Sequence, residues 1–267
     1  MSYRVGTVAY LNAKPLTWAL EQRQVPGIEA VPAVPSKLGA MLLAGELDAA
    51  IVSSVVALRN PELVILPEAG CIAADGPVQS VLLFSRCHIQ QIRTVALDTS
   101  SLTSVALTEI LLRLRYGLSP AFRPMPPDLP AMLSEADAAL LIGDPGLAQY
   151  FRGPEAAAYD VLDLGRAWRE WTGLPFVFAA WVGPRRMLHG ELPFLLRRGR
   201  AQSAAAIPEI ARREGARLGL PESVCRHYLE HSIRYDFGPR ERQGYELFGR
   251  YLAELGLDRP RESQVGP

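Results

Sequence analysis

The sequence predicts an α/β protein of two lobes, one inserted into the other, and three observations carry that expectation. Short apolar strands alternate with amphipathic helices along the first two-thirds of the 267 residues, the pattern of α/β folds with mostly parallel sheets. Two apolar strands, Val78–Ser85 and Phe176–Val182, are longer than the rest, and the roughly 90 residues between them hold a full βαβ set of their own. Beyond Pro184 the pattern turns helical to the end, which a simple doubly wound sheet does not explain. Together these predict a discontinuous lobe I of residues 1–84 and 183–267 and an inserted lobe II of residues 85–182, with the two long strands as crossovers. A cleft between the lobes follows, and clefts at domain interfaces are favoured ligand sites.

Taken in order, Arg4–Tyr10 is a strand, and Pro15–Glu21 a short helix with proline in its first turn. Ala30–Val34 is a strand, followed by a helix from Ser36 to Gly45. Ala49–Ser53 and Leu63–Leu66 are buried strands. After the first crossover, Thr94–Leu97 is a strand that runs through a hydroxyl-rich turn, Asp98–Ser104, into a helix reaching Tyr116. Pro124, Pro126, Pro127 and Pro130 mark a turn. Then come a helix (Pro130–Glu135), a buried strand (Ala138–Ile142), helices at Gly146–Phe151 and Asp163–Thr172, and the second crossover. The tail after Asp258 reads as disordered.

Charge and composition narrow the classes. Net charge is zero, so no polyanion and no nucleic-acid partner is expected. Lys14 and Lys37 are the only lysines, and arginine pairs such as Arg185-Arg186 and Arg197-Arg198 read as solvated helix faces. Cys71, Cys87 and Cys225 show no CxxC spacing, which argues against a disulfide framework or zinc site and for reduced thiols in a cytosolic protein. No apolar run of about 18 residues exists, so no membrane span is expected. The first residues enter a strand without a secretory pattern, and the expected location is cytoplasmic. The sequence sets no oligomeric state.

The residues fit for chemistry sit in turns after strands, where open α/β sheets place ligands. Thr99, Ser100, Ser101, Thr103 and Ser104 cluster where a helix begins. A helix start offers unpaired N–H groups and the positive end of the macrodipole. One cap needs one hydroxyl, and five make a site for a carboxylate or phosphate. Asn12 follows the first strand, either capping the next helix or orienting a carboxylate or hydroxyl. Lys14 reads as a surface lysine. Ser53 and Ser54 either line the cleft or cap the following helix. Ser80 lies in an apolar crossover strand, and a buried hydroxyl there bonds backbone or ligand. Gly143 lets backbone approach a ligand, and Asp144 reads as the cap of the helix begun by Pro145. Trp168 and Trp171, ahead of the second crossover, read as core. The chain carries no GxGxxG, P-loop, GxSxG or HExxH motif, and His88, His189, His227 and His231 lie outside these turns. No cofactor and no metal is expected.

Seven motifs in order carry a resemblance: Tyr10-Leu11-Asn12, Gly45-Glu46-Leu47-Asp48, Ser53-Ser54, Val78-Gln79-Ser80-Val81, Ser101-Leu102-Thr103-Ser104, Leu141-Ile142-Gly143-Asp144, and Trp168 followed by Thr172-Gly173-Leu174-Pro175-Phe176-Val177-Phe178-Ala179. Over residues 3–255 the chain resembles the chorismate dehydratase family of the futalosine route to menaquinone, departing at Ala13 and Lys14. The resemblance implies a fold similar to type II periplasmic binding proteins, with two α/β lobes closing on a ligand about a hinge of two crossover strands. It implies a lyase that converts chorismate, a small dicarboxylate, to 3-[(1-carboxyvinyl)oxy]benzoate with loss of water. The ring becomes aromatic, and the substrate's own enolpyruvyl carboxylate takes the C3 proton. On this reading Asn12 and Ser80 hold and polarise the reacting groups. Ser101, Thr103 and Ser104 clamp a carboxylate, with Thr103 and Ser104 the first choices and Thr99 structural. Ser54, Gly143 and Asp144 complete the binding set. The rival readings are a non-catalytic small-acid binding protein, a regulator's effector domain, which would need a helix-turn-helix ahead of the first strand, and dihydroxynaphthoate synthase. The last resembles this fold but uses a histidine base, where this chain has Gly143-Asp144.

Overall fold

The computed structural model describes residues 2–151 and 158–259. Two sheets organise them. The first takes β1 (Tyr3–Thr7), β2 (Ile28–Pro32), β3 (Ala49–Ser53), β4 (Leu63–Ile65) and β5 (Cys71–Ala74). The second takes β6 (Val81–Ser85), β7 (Thr94–Asp98), β8 (Ala121–Met125), β9 (Ala138–Ile142) and β10 (Asp160–Asp163), in the order β10-β6-β9-β7-β8. The chain then returns to the first sheet as β11 (Phe176–Pro184), which lies between β3 and β4 and also pairs with β5.

The sheets are mixed rather than mostly parallel. β1 is parallel to β2 and β3, and β7 to β8 and β9. The strands that enter and return run the other way: β6 is antiparallel to β9 and β10, and β11 to β3, β4 and β5. Val81–Ser85 belongs to the second sheet and Phe176–Pro184 to the first, so the chain passes from sheet to sheet over the short segments 75–80 and, after the helix that ends at Thr172, 173–175. A long apolar run marks each strand as buried, but burial alone does not say in which sheet.

Burial on both faces explains those runs. In β6, Val81 and Leu83 belong to the large core shared with the first lobe, while Leu82 and Phe84 belong to a smaller core with Leu129, Met132 and Leu133 on the far face. The helices that matter for the site are α1 (Lys14–Glu21), α2 (Pro35–Leu43), α3 (Val55–Arg59), α4 (Leu102–Ile110), α5 (Leu129–Glu135), α6 (Gly143–Phe151) and α7 (Leu164–Thr172). After β11 come α8 (Glu191–Ala205), α9 (Ile207–Leu218), α10 (Glu222–His227) and α11 (Pro239–Glu254), the expected helical third. α10 continues as a wider π turn over Tyr228–Ser232.

The passage 173–175 is fixed by aromatic packing, as expected for Trp168. That ring is fully buried, meets Phe176 and Phe248 edge-on with centroids 5.1 and 6.4 Å away, and donates to the Pro175 carbonyl at 3.2 Å. The passage 75–80 is fixed by Asp163, whose carboxylate accepts the Val78 and Gln79 N–H groups at 3.0 and 2.7 Å. Lys14 departs from expectation: it is buried, and its ammonium pairs with Glu21 at 2.7 Å. All three cysteines are free. Among the described residues no helix is long and apolar enough to cross a membrane. The expected tail disorder falls largely on residues 260–267, outside the described residues.

Candidate functional site

The strand ends of the two sheets face each other across a cleft of about 510 Å3, counted with its open mouth. Its floor is apolar, with Ile51, Ile72, Val81 and Phe178. Its polar wall comes from three turns. The loop after β1 brings Tyr10 and Asn12, the end of β3 brings Ser53, and the start of α4 brings Ser100, Ser101 and Ser104. Gly143, opening α6, closes the wall. Among the described residues lining the cleft none is Asp, Glu, His, Lys or Arg.

The start of α4 explains how a wall without cations suits an anion. Ser101 is the N-cap, with extended backbone at φ −128° and ψ 108°, and its Oγ accepts the Ser104 N–H at 3.3 Å. The Ser104 hydroxyl donates to the same oxygen at 3.1 Å, and Ser53 Oγ of the other lobe lies 3.5 Å away. Three hydroxyls thus meet at the positive end of a helix. Ser100 is turned differently. Its N–H and Oγ both donate to the buried Asp98 carboxylate, at 2.9 and 2.5 Å, so it offers lone pairs to the cleft. The Tyr10 hydroxyl hydrogen-bonds to Ser100, and burial pushes its pKa up.

Of the residues expected at the site, Asn12, Ser101, Ser104 and Gly143 line the cleft. Ser54, Ser80, Thr103 and Asp144 do not, and each is engaged elsewhere. Ser54 donates to the Val177 carbonyl at 2.7 Å and lies 3.4 Å from Thr103, whose Oγ1 accepts the Val55 N–H at 3.1 Å. These two hydroxyls bond lobe to lobe behind the wall. Ser80 is fully buried and accepts from the Tyr228 hydroxyl at 2.7 Å. Asp144, expected as a helix cap, is instead an acceptor across the lobes. Oδ1 takes the Leu11 N–H at 2.9 Å, and Oδ2 takes Arg217 of α9 at 2.5 Å. Burial pushes the Asp144 pKa up, and its bonds from Arg217 and Leu11 pull it back. Thr99 is exposed and is not among the residues that line the cleft.

Gly143 is where a glycine is required. Its φ is +61°, and a Cβ there would stand 3.2 Å from Tyr10 Cδ1. Tyr10 is a site residue that sequence reasoning does not pick out, although it opens the Tyr10-Leu11-Asn12 motif. Its signal is position, two residues ahead of Asn12 in the same turn. Tyr228 and Arg217 carry no sequence signal, because they reach the site from helices far along the chain.

An α/β protein of two lobes with a cleft between them has the fold of the periplasmic-binding-protein-like class. Solved structures agree in fold. An Archaeoglobus fulgidus protein matches with a TM-score of 0.76 at 18% identity, covering 96% of this chain and 98% of that one. The periplasmic aliphatic sulphonate binding protein SsuA from Escherichia coli matches with a TM-score of 0.65 at 17% identity, covering 98% and 94%. The model of the menaquinone biosynthesis family matches residues 3–254, and the chain belongs to that family. It is 33% identical over 264 residues to the chorismate dehydratase of Thermus thermophilus, covering 94% of this chain and 95% of that one. It is 31% identical over 179 residues to the chorismate dehydratase of Campylobacter jejuni, covering 65% and 64%.

Proposed function

We propose that this chain is a chorismate dehydratase, a hydro-lyase of menaquinone biosynthesis that converts chorismate to 3-[(1-carboxyvinyl)oxy]benzoate and water. The observation that carries the mechanism is the cleft wall: hydroxyls, one amide and a helix start, with no titratable acid or base among the described lining residues other than the Tyr10 phenol. A dehydration that ends in an aromatic ring draws its driving force from the substrate and asks the protein mainly for orientation, worth several kcal/mol. Loss of the C3 proton spreads charge through the C1–C2 double bond to the ring carboxylate, where donors at the α4 start stabilise it. The enolpyruvyl carboxylate takes that proton, the C4 hydroxyl leaves with its bonding pair, and the two combine as water.

In this reading Ser101 and Ser104 hold a carboxylate, and Asn12 faces the reacting carbons with its amide. Ser80 acts from behind the wall. The futalosine route and a cytoplasmic location are the finer parts of the proposal. The three free cysteines support the location, because such thiols persist in a reducing compartment.

Incubation with chorismate tests it, with the aromatic product followed by ultraviolet absorbance and mass. Asn12→Ala lowers kcat by about 100- to 1000-fold, the scale of losing one preorganised donor at developing charge, while circular dichroism stays native. No product, together with tight binding of another small acid, would make the protein a binder rather than a lyase.

A further inference from the structure

Ser80 does not touch the cleft, yet it is not an ordinary buried serine. A hydroxyl removed from water must find a partner inside the protein. Here the partner is itself a buried hydroxyl from the far end of the chain: Tyr228 is 1% exposed and donates to Ser80 Oγ at 2.7 Å. Burial raises the pKa of the same phenol, and the Asn12 side chain reaches it and pulls that pKa down. One tyrosine oxygen therefore joins the loop after β1 in the first lobe to the passage that enters the second.

The direction of the bonds fixes what Asn12 shows to the cleft. Tyr228 has one proton, and it goes to Ser80. Its oxygen is left as an acceptor, so the Asn12 contact uses an amide N–H. The Asn12 carbonyl and its second N–H remain for the cleft that the residue lines. Without the phenol the amide has no such contact to fix which end faces a ligand.

The surroundings hold Tyr228 in place. It begins the π turn Tyr228–Ser232, a helical form found often at functional sites. The same turn places Ser232, whose hydroxyl donates to Gln79 Oε1 at 2.7 Å. Gln79 has a φ of +61°, a conformation a non-glycine residue keeps only when its neighbours impose it. The turn thus grips the passage at Gln79 and at Ser80, two successive residues.

We propose that Tyr228, acting with Ser80, is a positioning residue that sets the orientation of the Asn12 amide for the reaction. The assignment rests on the dehydratase reading above. It gives the helical C-terminal third a part in the chemistry, because that segment delivers the hydroxyl.

The test is a double-mutant cycle on the full-length protein with chorismate as substrate. Tyr228→Phe keeps the ring and removes the hydroxyl, and Ser80→Ala removes its acceptor with the ring in place. Each lowers kcat by about 10- to 100-fold, the usual loss when a supporting hydrogen bond to a working group is removed, with KM changed less than about 3-fold. The double variant is no slower than the slower single, because both changes release the same amide. A purely structural role gives another pattern: a lowered melting temperature with kcat kept, or kcat losses that multiply. Either of those overturns the assignment, as does wild-type kcat in both single variants. If Tyr228→Phe fails to fold, Ser80→Ala alone decides by its kcat-to-KM split. A wild-type protein that does not turn chorismate over overturns the dehydratase reading, and this inference with it.

Discussion

At the scale of single residues the site depends on where each hydroxyl and amide spends its bonds. Asn12, Ser101, Ser104 and Gly143 are legible as candidates in the sequence, since each sits in a turn after a strand. Ser54 and Thr103 are equally legible, and those face each other behind the wall. Neighbouring residues of one turn point in different directions, and only the assembled fold says which direction is the cleft. Gly143 offers a sharp test, because its φ of +61° and the Tyr10 ring, 3.2 Å from where a Cβ would stand, both resist a side chain. Gly143→Ala should cost about 1–2 kcal/mol for the left-handed backbone. It should also raise KM for chorismate, because Tyr10 must move off the wall it closes. Denaturant melts and steady-state kinetics read the two effects separately. A stability loss with unchanged KM would mean that Tyr10 takes no part in holding substrate.

At the scale of elements, strong periodicity is legible and weak periodicity is not. Ala49–Val52 and Ala138–Ile142 are apolar throughout, and the strands expected over Ala49–Ser53 and Ala138–Ile142 keep those bounds. β8 escapes a reading by apolar pattern because it is an edge strand with largely exposed residues and carries Pro124, which a central strand does not tolerate. β10 escapes it for the same reason, as the other edge of that sheet with Asp160 and Val161 exposed. The start of α4 is legible from its hydroxyls, and there a cap and a ligand site can be told apart. Ser101→Ala removes the cap and should cost about 1 kcal/mol, whereas Ser101→Gly should cost only a few tenths. If Ser101 also holds a carboxylate, both variants raise KM for chorismate by a similar factor. A glycine variant with wild-type KM would leave Ser101 as a cap alone.

At the scale of the whole molecule, the lobes are joined on two sides of the cleft. On one side Ser54 and the Val55 N–H meet Thr103, contacts between neutral groups. On the other, Asp144 of the second lobe accepts the Leu11 N–H and Arg217 of the first. The second junction is the stronger, because a hydrogen bond to a charged group is worth roughly 1.5–3 kcal/mol against about 1 for a neutral one. It also reaches the chemistry, since Leu11 adjoins Asn12. Opening the lobes returns Asp144 to water, which relieves the burial that raises its pKa, but it separates the carboxylate from Arg217 and leaves the Leu11 N–H unpaired by it. Asp144→Asn keeps an acceptor for Leu11 and drops the charge pair, whereas Asp144→Ala loses both. Closure should therefore weaken in steps, with KM for chorismate rising roughly 5-fold or more for Asn and further for Ala, within the 5- to 150-fold span of ordinary conformational coupling. Small-angle scattering without substrate should show a larger radius of gyration in the same order, and saturating chorismate should restore the wild-type value. Equal radii together with equal KM values would place the control of closure at the Thr103 junction instead, where Thr103→Val removes the acceptor of the Val55 N–H and should then have the larger effect.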